Sequence, residues 1–316
     1  MKYSIALIIP YFGRFNNYFD LFIESCKYNP TVDFLFFSDD ERYLDKSNYA
    51  SNIKFFKSDL TLLHNRIQSF YDFSIYLKTP YDLVNFKPAY GEIFKEELKQ
   101  YDFWGYCDCD MIFGDIRHFI TDEILDSYSK ILMRGHFTLF RNVEAVNTIY
   151  RNPLKDGRLR YKEVFSSNKI SHFDEGLYHI DGINTLFIDA KTNIFDKYIF
   201  YDVAVSKYAF RQADFLMDDK EMCKEEKSVF EWKDGKLYMY YQENGNILRE
   251  EYMYIHLQKR KMRNKVDSPN LGFHIRPNVF VPLHKLDMNY IANSNKNKFY
   301  FDYFLIRLKG KIKKLI

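Results

Sequence analysis

The chain has few cysteines, no long apolar run and almost no excess of charge, and each lack excludes a class of protein. Cys26, Cys107, Cys109 and Cys223 are four cysteines in 316 residues, too few for a disulfide framework at this length. Cys107 and Cys109 have no second Cys/His pair at zinc spacing to complete a site, so they read as small buried hydrophobes. No window reaches the roughly 18 apolar residues that a membrane span needs. The opening "YSIALIIPYF" follows a single lysine and runs into a proline and a polar loop, which does not fit a signal peptide and predicts a cytoplasmic protein. A formal net charge of +3 is too small to imply a nucleic-acid partner. Repeats, low-complexity tracts and linkers are absent too, so one domain is expected over residues 1–265, followed by an extension over 266–316.

What the chain has in quantity is aromatic residues, 27 Tyr and 31 Phe among the 19%. Lys, Asn and Ile are plentiful as well, so nucleotide bias is the larger cause, with sugar-stacking surfaces as the functional reading. A hydrophobic share of 47% supplies a sizeable core. Tyr3–Ile9 is a short β-branched run stopped by Pro10 and Gly13, the pattern of a buried strand. Apolar residues at helical spacing follow over Tyr18–Lys27. "VDFLFFSDD" and "NIKFFKS" read as further strands, and Leu60–Phe73 as a helix. This alternation predicts an α/β fold around a mixed, mostly parallel sheet, with ligands at the carboxyl ends of its strands. Pro88 is expected to precede a helix burying Ile93, Phe94 and Leu98. "SVFEWKDGKLYMYYQENGNILREEYMYIHLQKRK" reads as a β-meander, with DG and NG as its turns.

The stretch "YDFWGYCDCDMIFGD" raises the functional question. Read as one continuous strand, it puts Asp108 and Asp110 on one face and the two sulfurs on the other. Burying two carboxylates without partners is costly, so something positive should meet them. Paired carboxylates at a strand end suit a hard divalent ion with oxygen ligands, Mg²⁺ or Mn²⁺, which shares its remaining positions with substrate phosphates.

"IIPYFG", a second strand ending in "SDD", and a DxD-type "DCD" after an aromatic strand together resemble GT-A-fold glycosyltransferases. "FKPAYG", "YDFWGYCDCDMIFGDI", "GHFTLFRN", "FDE" and "HLQKRKM" are similar to stretches of bacterial glycosyltransferase-like proteins encoded among surface-polysaccharide (capsule and lipopolysaccharide) genes. The resemblance covers roughly residues 1–265. It implies a nucleotide-sugar-binding half over 1–115, an acceptor half over 116–265, a UDP-sugar donor and a glycan or lipid-linked glycan acceptor. It also implies a Mn²⁺ or Mg²⁺ ion held by Asp110 and His256, with Asp108 reaching the ion through water or binding the donor ribose. Pro10, Tyr11 and Phe12 would lie under the nucleobase, Asp39 near the base or ribose, and Lys87 near a phosphate or a carboxylate. Lys259 and Arg260 would neutralise the leaving diphosphate. An inverting reaction needs a base on the acceptor hydroxyl, for which Glu175 and Asp174 are the candidates, followed by Asp181.

Two other classes share some of these features. A sugar-phosphate nucleotidyltransferase would favour a glycine-rich phosphate loop after the first strand, which "PYFGRFNN" lacks. A non-catalytic carbohydrate-binding scaffold would use the aspartates structurally. At the carboxyl end, a helical projection sets Phe301, Phe304, Leu305, Leu308, Ile312, Leu315 and Ile316 on one side. Arg307, Lys309, Lys311, Lys313 and Lys314 fall on the rest. That pattern fits either an anionic membrane surface, peripherally bound, or the protein's own core.

Overall fold

The computed structural model describes residues 1–44, 49–176, 180–212, 227–294, 296–301 and 305. Most of the expected carboxyl-terminal helix therefore lies outside the described residues. Contacts divide the chain into two compact units. One comprises Met1–Phe15, Asn29–Cys109 and Ile120–Lys197; the other comprises Asn16–Tyr28, Asp110–Phe119 and Tyr198–Ile316. The units are interleaved along the sequence, whereas the sequence reading had two continuous halves meeting at residue 115.

The first unit is built on a seven-stranded sheet in the spatial order Ile53–Lys57, Val32–Ser38, Ile5–Tyr11, Phe103–Cys107, Phe137–Arg141, Lys130–Arg134, Ile194–Phe195. The first four strands are parallel, with Ile5 opposite both Val32 and Phe103. "IALII" is buried throughout, as an apolar run in a parallel sheet covered on both faces must be. Alternate residues Ala6, Ile8, Leu35, Phe37, Trp104 and Tyr106 share one core cluster with Leu63 and Ile67 of the helix Leu60–Gln68. That helix begins where expected because the Asp59 carboxylate accepts from the Leu62 N–H at 2.8 Å.

The chain adds two strands on one side of Ile5–Tyr11, then returns to place Phe103–Cys107 on the other. The strand order reverses there, and in open α/β sheets that reversal opens a crevice beyond the carboxyl ends of the strands. Tyr11 and Cys107 stand at those two ends.

The second unit holds a six-stranded sheet in the order Asn246–Glu251, Lys236–Glu243, Ser228–Lys233, Phe273–Arg276, Val279–Pro282, Arg263–Asn264. Its first three strands are the expected meander. Asp234 and Gly235 (φ 50° and 76°), and Asn244 and Gly245 (φ 50° and 77°), make the turns with both central residues left-handed, as tight hairpins require. Trp232 is fully buried, stacks on Phe273 at 5.2 Å and donates its indole N–H to the Phe113 carbonyl at 2.8 Å. A smaller sheet runs Phe210–Arg211, Phe200–Val203, Tyr254–His256, Met111–Phe113.

The fold is thus mixed α/β, but the sheets are not mostly parallel. Six of the fifteen strand pairings among the described residues are parallel and nine antiparallel. The excess comes from hairpins: the meander, and Lys130–Arg134 with Phe137–Arg141, which joins the first sheet antiparallel. The region around Pro88 also differs from expectation. Pro88 lies inside a 3₁₀ segment, Pro80–Ala89, and the helix after it is broken into Tyr90–Ile93 and Lys95–Leu98. Ile93, Phe94 and Leu98 are nonetheless buried. No helix among the described residues is long and apolar enough to cross a membrane. Of the carboxyl-terminal apolar set, Phe301 and Leu305 are described, and both are exposed.

Candidate active site

The two aspartates of "DCD" do not share a strand. Phe103–Cys107 ends before Asp108 and belongs to the first unit's sheet; Met111–Phe113 begins after Asp110 and belongs to the second unit's small sheet. The continuous-strand reading is corrected on this point, since one strand would have to pair in two sheets at once. Cys107 and Cys109 are buried thiols, as expected. Each aspartate meets the positive partner that its burial demands, and the partners differ.

Asp108 meets Lys87. The lysine sits in the 3₁₀ segment that Thr79, Pro80 and Asp82 initiate; the Asp82 carboxylate accepts from the Lys78 and Thr79 N–H groups at 3.0 and 2.7 Å. Asn85 anchors the same segment by donating to the Lys169 carbonyl at 2.9 Å and accepting from the Ser171 N–H at 3.0 Å. Lys87 Nζ then donates to Asp108 Oδ1 and to the Gly135 carbonyl, both at 2.7 Å, and lies 3.7 Å from Asp174 Oδ2. Glu175 Oε1 accepts from the Gly135 N–H at 2.7 Å. Position 135 must be glycine for this approach, because a Cβ there would fall 2.6 Å from Asp174 Oδ2.

Burial works against the Lys87 charge, but Asp108 and Asp174 outweigh it and hold the ammonium well above the ordinary lysine range. Asp174 is pushed up to about 7, first by burial and then by its neighbours Glu175 and Asp108, against the pull of Lys87. One cation therefore serves two carboxylates, Asp108 and Asp174.

Asp110 meets His256. The strand Tyr254–His256 runs between Phe200–Val203 and Met111–Phe113, with His256 opposite both Asp202 and Met111. That register brings two carboxylates to one imidazole. Nδ1 lies 2.8 Å from Asp202 Oδ1, and Nε2 lies 3.5 Å from Asp110 Oδ1. Gln258 Nε2 donates to Asp202 Oδ1 at 2.8 Å, and the Lys259 N–H donates to Asp110 Oδ2. Gln258 and Lys259 both have φ of 55°, a left-handed pair that turns the chain so that the amide faces the carboxylate.

Burial opposes both charges of this pair, but each sustains the other. Asp110 and Asp202 raise His256 to about 10, while His256 and the Lys259 N–H lower Asp110 to about 2. Unfolded, the same groups titrate near about 6.5 and 3.9. The raised histidine therefore stabilises the fold fully below about pH 6.5, and that contribution is lost as pH rises through 10. The depressed aspartate stabilises above about pH 4, and its contribution is lost as pH falls through 2. The melting-temperature difference between the parent and His256→Gln should accordingly be largest near pH 5–6 and close towards pH 10. A difference that does not change with pH would show that the pair is not ionised.

The remaining sequence candidates divide. Tyr11 stacks on Phe15 at 4.4 Å, its hydroxyl donating to the Arg14 carbonyl at 3.2 Å, and Phe12 is buried in the first unit's core. Asp39 is exposed and accepts from the Gly13 N–H at 2.7 Å, which fixes the loop after Pro10. Both loops belong to the first unit, as does Lys87. Asp181 pairs with Arg158 at 2.9 Å. Arg260 is buried, and its guanidinium donates to the carbonyls of Ala204, Val205 and Lys207 and to Asn278 Oδ1. Those bonds engage the guanidinium that was expected to neutralise the leaving diphosphate. Sequence reasoning missed Asp202 and Gln258. An acid inside the apolar run "YIFYDVAV" was the available signal, because a buried strand carries a carboxylate only where a partner waits.

The arrangement defines an α/β protein with one lysine-centred and one histidine-centred carboxylate cluster. Residues 7–284 match a family of unknown function (DUF6625), and the chain belongs to that family. No curated protein matches it.

Proposed function

We propose that the protein is a metal-dependent glycosyltransferase of the GT-A kind, moving a hexose from a nucleotide-sugar donor, UDP-linked, to a growing bacterial surface glycan. The observation that carries this reading is the Asp202–His256–Asp110 line. A ligand histidine typically has its second nitrogen held by a carboxylate, which fixes the ring and raises its basicity. Here Asp202 does this for Nδ1, and Nε2 points towards the carboxylate of Asp110. Two ligands at right angles around a Mn²⁺- or Mg²⁺-sized ion lie about 3 Å apart, close to the 3.5 Å between Nε2 and Asp110 Oδ1. One nitrogen and one carboxylate oxygen favour Mn²⁺ over Mg²⁺. A bound ion would supply charge for the leaving diphosphate. It would have to displace the proton from His256, so its affinity rises with pH.

The sheet reversal at Tyr11 and Cys107 supports a nucleotide site on the first unit, where Pro10, Tyr11, Phe12, Asp39 and Asp108 stand at the strand ends. The acceptor hydroxyl oxygen attacks the anomeric carbon, the bond from that carbon to the diphosphate oxygen breaks, and the hydroxyl proton passes to Glu175. The carboxylate of Glu175 is oriented by the Gly135 N–H, and Asp174, titrating near neutrality, lies beside it in the chain. Glu175→Gln keeps that hydrogen bond. It should lower turnover by roughly 10²-fold or more while leaving the donor KM nearly unchanged. Equal turnover would remove Glu175 as the base.

The reading is tested by offering a panel of nucleotide sugars with Mn²⁺ and measuring release of the nucleoside diphosphate. Metal-dependent release from one donor is expected. Release of pyrophosphate from a sugar phosphate and a nucleoside triphosphate would instead assign a nucleotidyltransferase.

A further inference from the structure

The second unit contains a cavity of about 470 Å³, apart from both carboxylate clusters in its lining. Its charged lining is all of one sign: Arg263, Lys265 and Arg276. Among the described residues no carboxylate lines it, and neither Arg263 nor Lys265 makes an ion pair. Three cations drawn to one concave surface repel one another unless an anion joins them.

Arg276 is placed for such a ligand. Its Nε donates to the Ser294 carbonyl at 3.1 Å and its Nη2 to the Asn293 carbonyl at 2.5 Å, at the end of the helix Met288–Ser294. Those two bonds fix the guanidinium plane and leave its Nη1 edge without a hydrogen bond among the described residues. A guanidinium held in this way has already lost its rotamer freedom, so it binds an anion at lower entropic cost than a free surface arginine. Asn278, also in the lining, is itself held by Arg260 at 2.8 Å. Arg260 thus adds a fourth positive charge behind the wall. The lining also includes Val279, Val281 and Tyr208, and Val279 pairs in the sheet with both Arg263 and Arg276.

We infer that this cavity binds a phosphate- or diphosphate-bearing ligand, with the anion on Arg263, Lys265 and Arg276 and its organic part against Tyr208 and the two valines. Two arginines match the planar oxygen edges of phosphate, and a multiply charged anion balances three cations better than a single carboxylate does. Rested on the glycosyltransferase reading, this makes the acceptor a phosphorylated glycan or the headgroup of a lipid phosphate.

The test is calorimetric titration of the full chain with inorganic pyrophosphate in EDTA, where no metal site contributes, against sodium sulfate at matched ionic strength. One pyrophosphate per chain is expected. Affinity should fall about tenfold or more in Arg263→Gln/Lys265→Gln, whose side chains are exposed and whose loss leaves the fold intact. Arg276→Lys, which cannot bridge both helix-end carbonyls, should weaken binding too. Asp110→Asn should leave it unchanged, so failure here is separable from failure of the metal-site reading. Vesicles containing phosphatidic acid distinguish the lipid source: retention by the parent but not the double variant assigns a headgroup, and pyrophosphate binding without retention assigns a soluble phosphorylated glycan. No heat with pyrophosphate, sulfate binding equally well, or equal affinity in the double variant would overturn the inference.

Discussion

Lys87→Met should destabilise the protein by about 3–5 kcal/mol, the usual cost of removing one partner from a buried ion pair. Methionine fills the volume, so the loss reports charge and not a cavity. Asp108 and the Gly135 carbonyl would lose their shared donor, and Asp174 its nearby cation. Asp174 already titrates near neutrality with the lysine present, and without it the carboxyl would be pushed higher still. Protonation then relieves the variant at low pH. The gap between parent and variant should therefore be smaller at pH 5.5 than at pH 8, measured by urea denaturation at both. Equal stability of the two proteins at pH 8 would show that Lys87 is a solvated surface residue and that the cluster is not closed.

Asp110→Asn carries the second large effect, on activity and not on folding. The amide oxygen still accepts from the Lys259 N–H, and His256 keeps Asp202, so the local structure has its hydrogen bonds. What disappears is the charge proposed to hold the ion. Turnover should fall by roughly 10²-fold or more, with most of the Mn²⁺ dependence gone. The same assay on Asp202→Asn should show a smaller loss if that carboxylate acts by orienting the histidine through Nδ1. Full Mn²⁺-dependent turnover in Asp110→Asn would return the pair to a structural ion pair.

The carboxylates were visible in the sequence; their surroundings were not. "DCD" announced that two acids needed partners, and the meander was written in its DG and NG turns, because both signals are local. The break at Asp108–Asp110 is not local. It depends on Met111 pairing with His256 in one sheet while Phe103 pairs with Ile5 in another, and no periodicity within fifteen residues encodes that. Asp202 was missed for the same reason, since its partner is fixed by a parallel register over some fifty residues of chain. Lys87 was legible as a cation near a phosphate or a carboxylate, but Asp174 and the Gly135 carbonyl as its partners emerge only from the folded unit. The carbonyl partners of Arg260 were not legible, because a basic run on a turn reads the same whether its side chains face water or buried carbonyls.

On the glycosyltransferase reading, Asp110 and His256 hold a divalent ion that a nucleoside diphosphate shares. Titration of UDP with and without Mn²⁺, followed by calorimetry, measures it most directly. Mn²⁺ should tighten UDP binding by about tenfold or more in the parent and change it little in His256→Ala. UDP binding that is unaffected by Mn²⁺ in the parent, or enhanced equally in His256→Ala, would contradict the account.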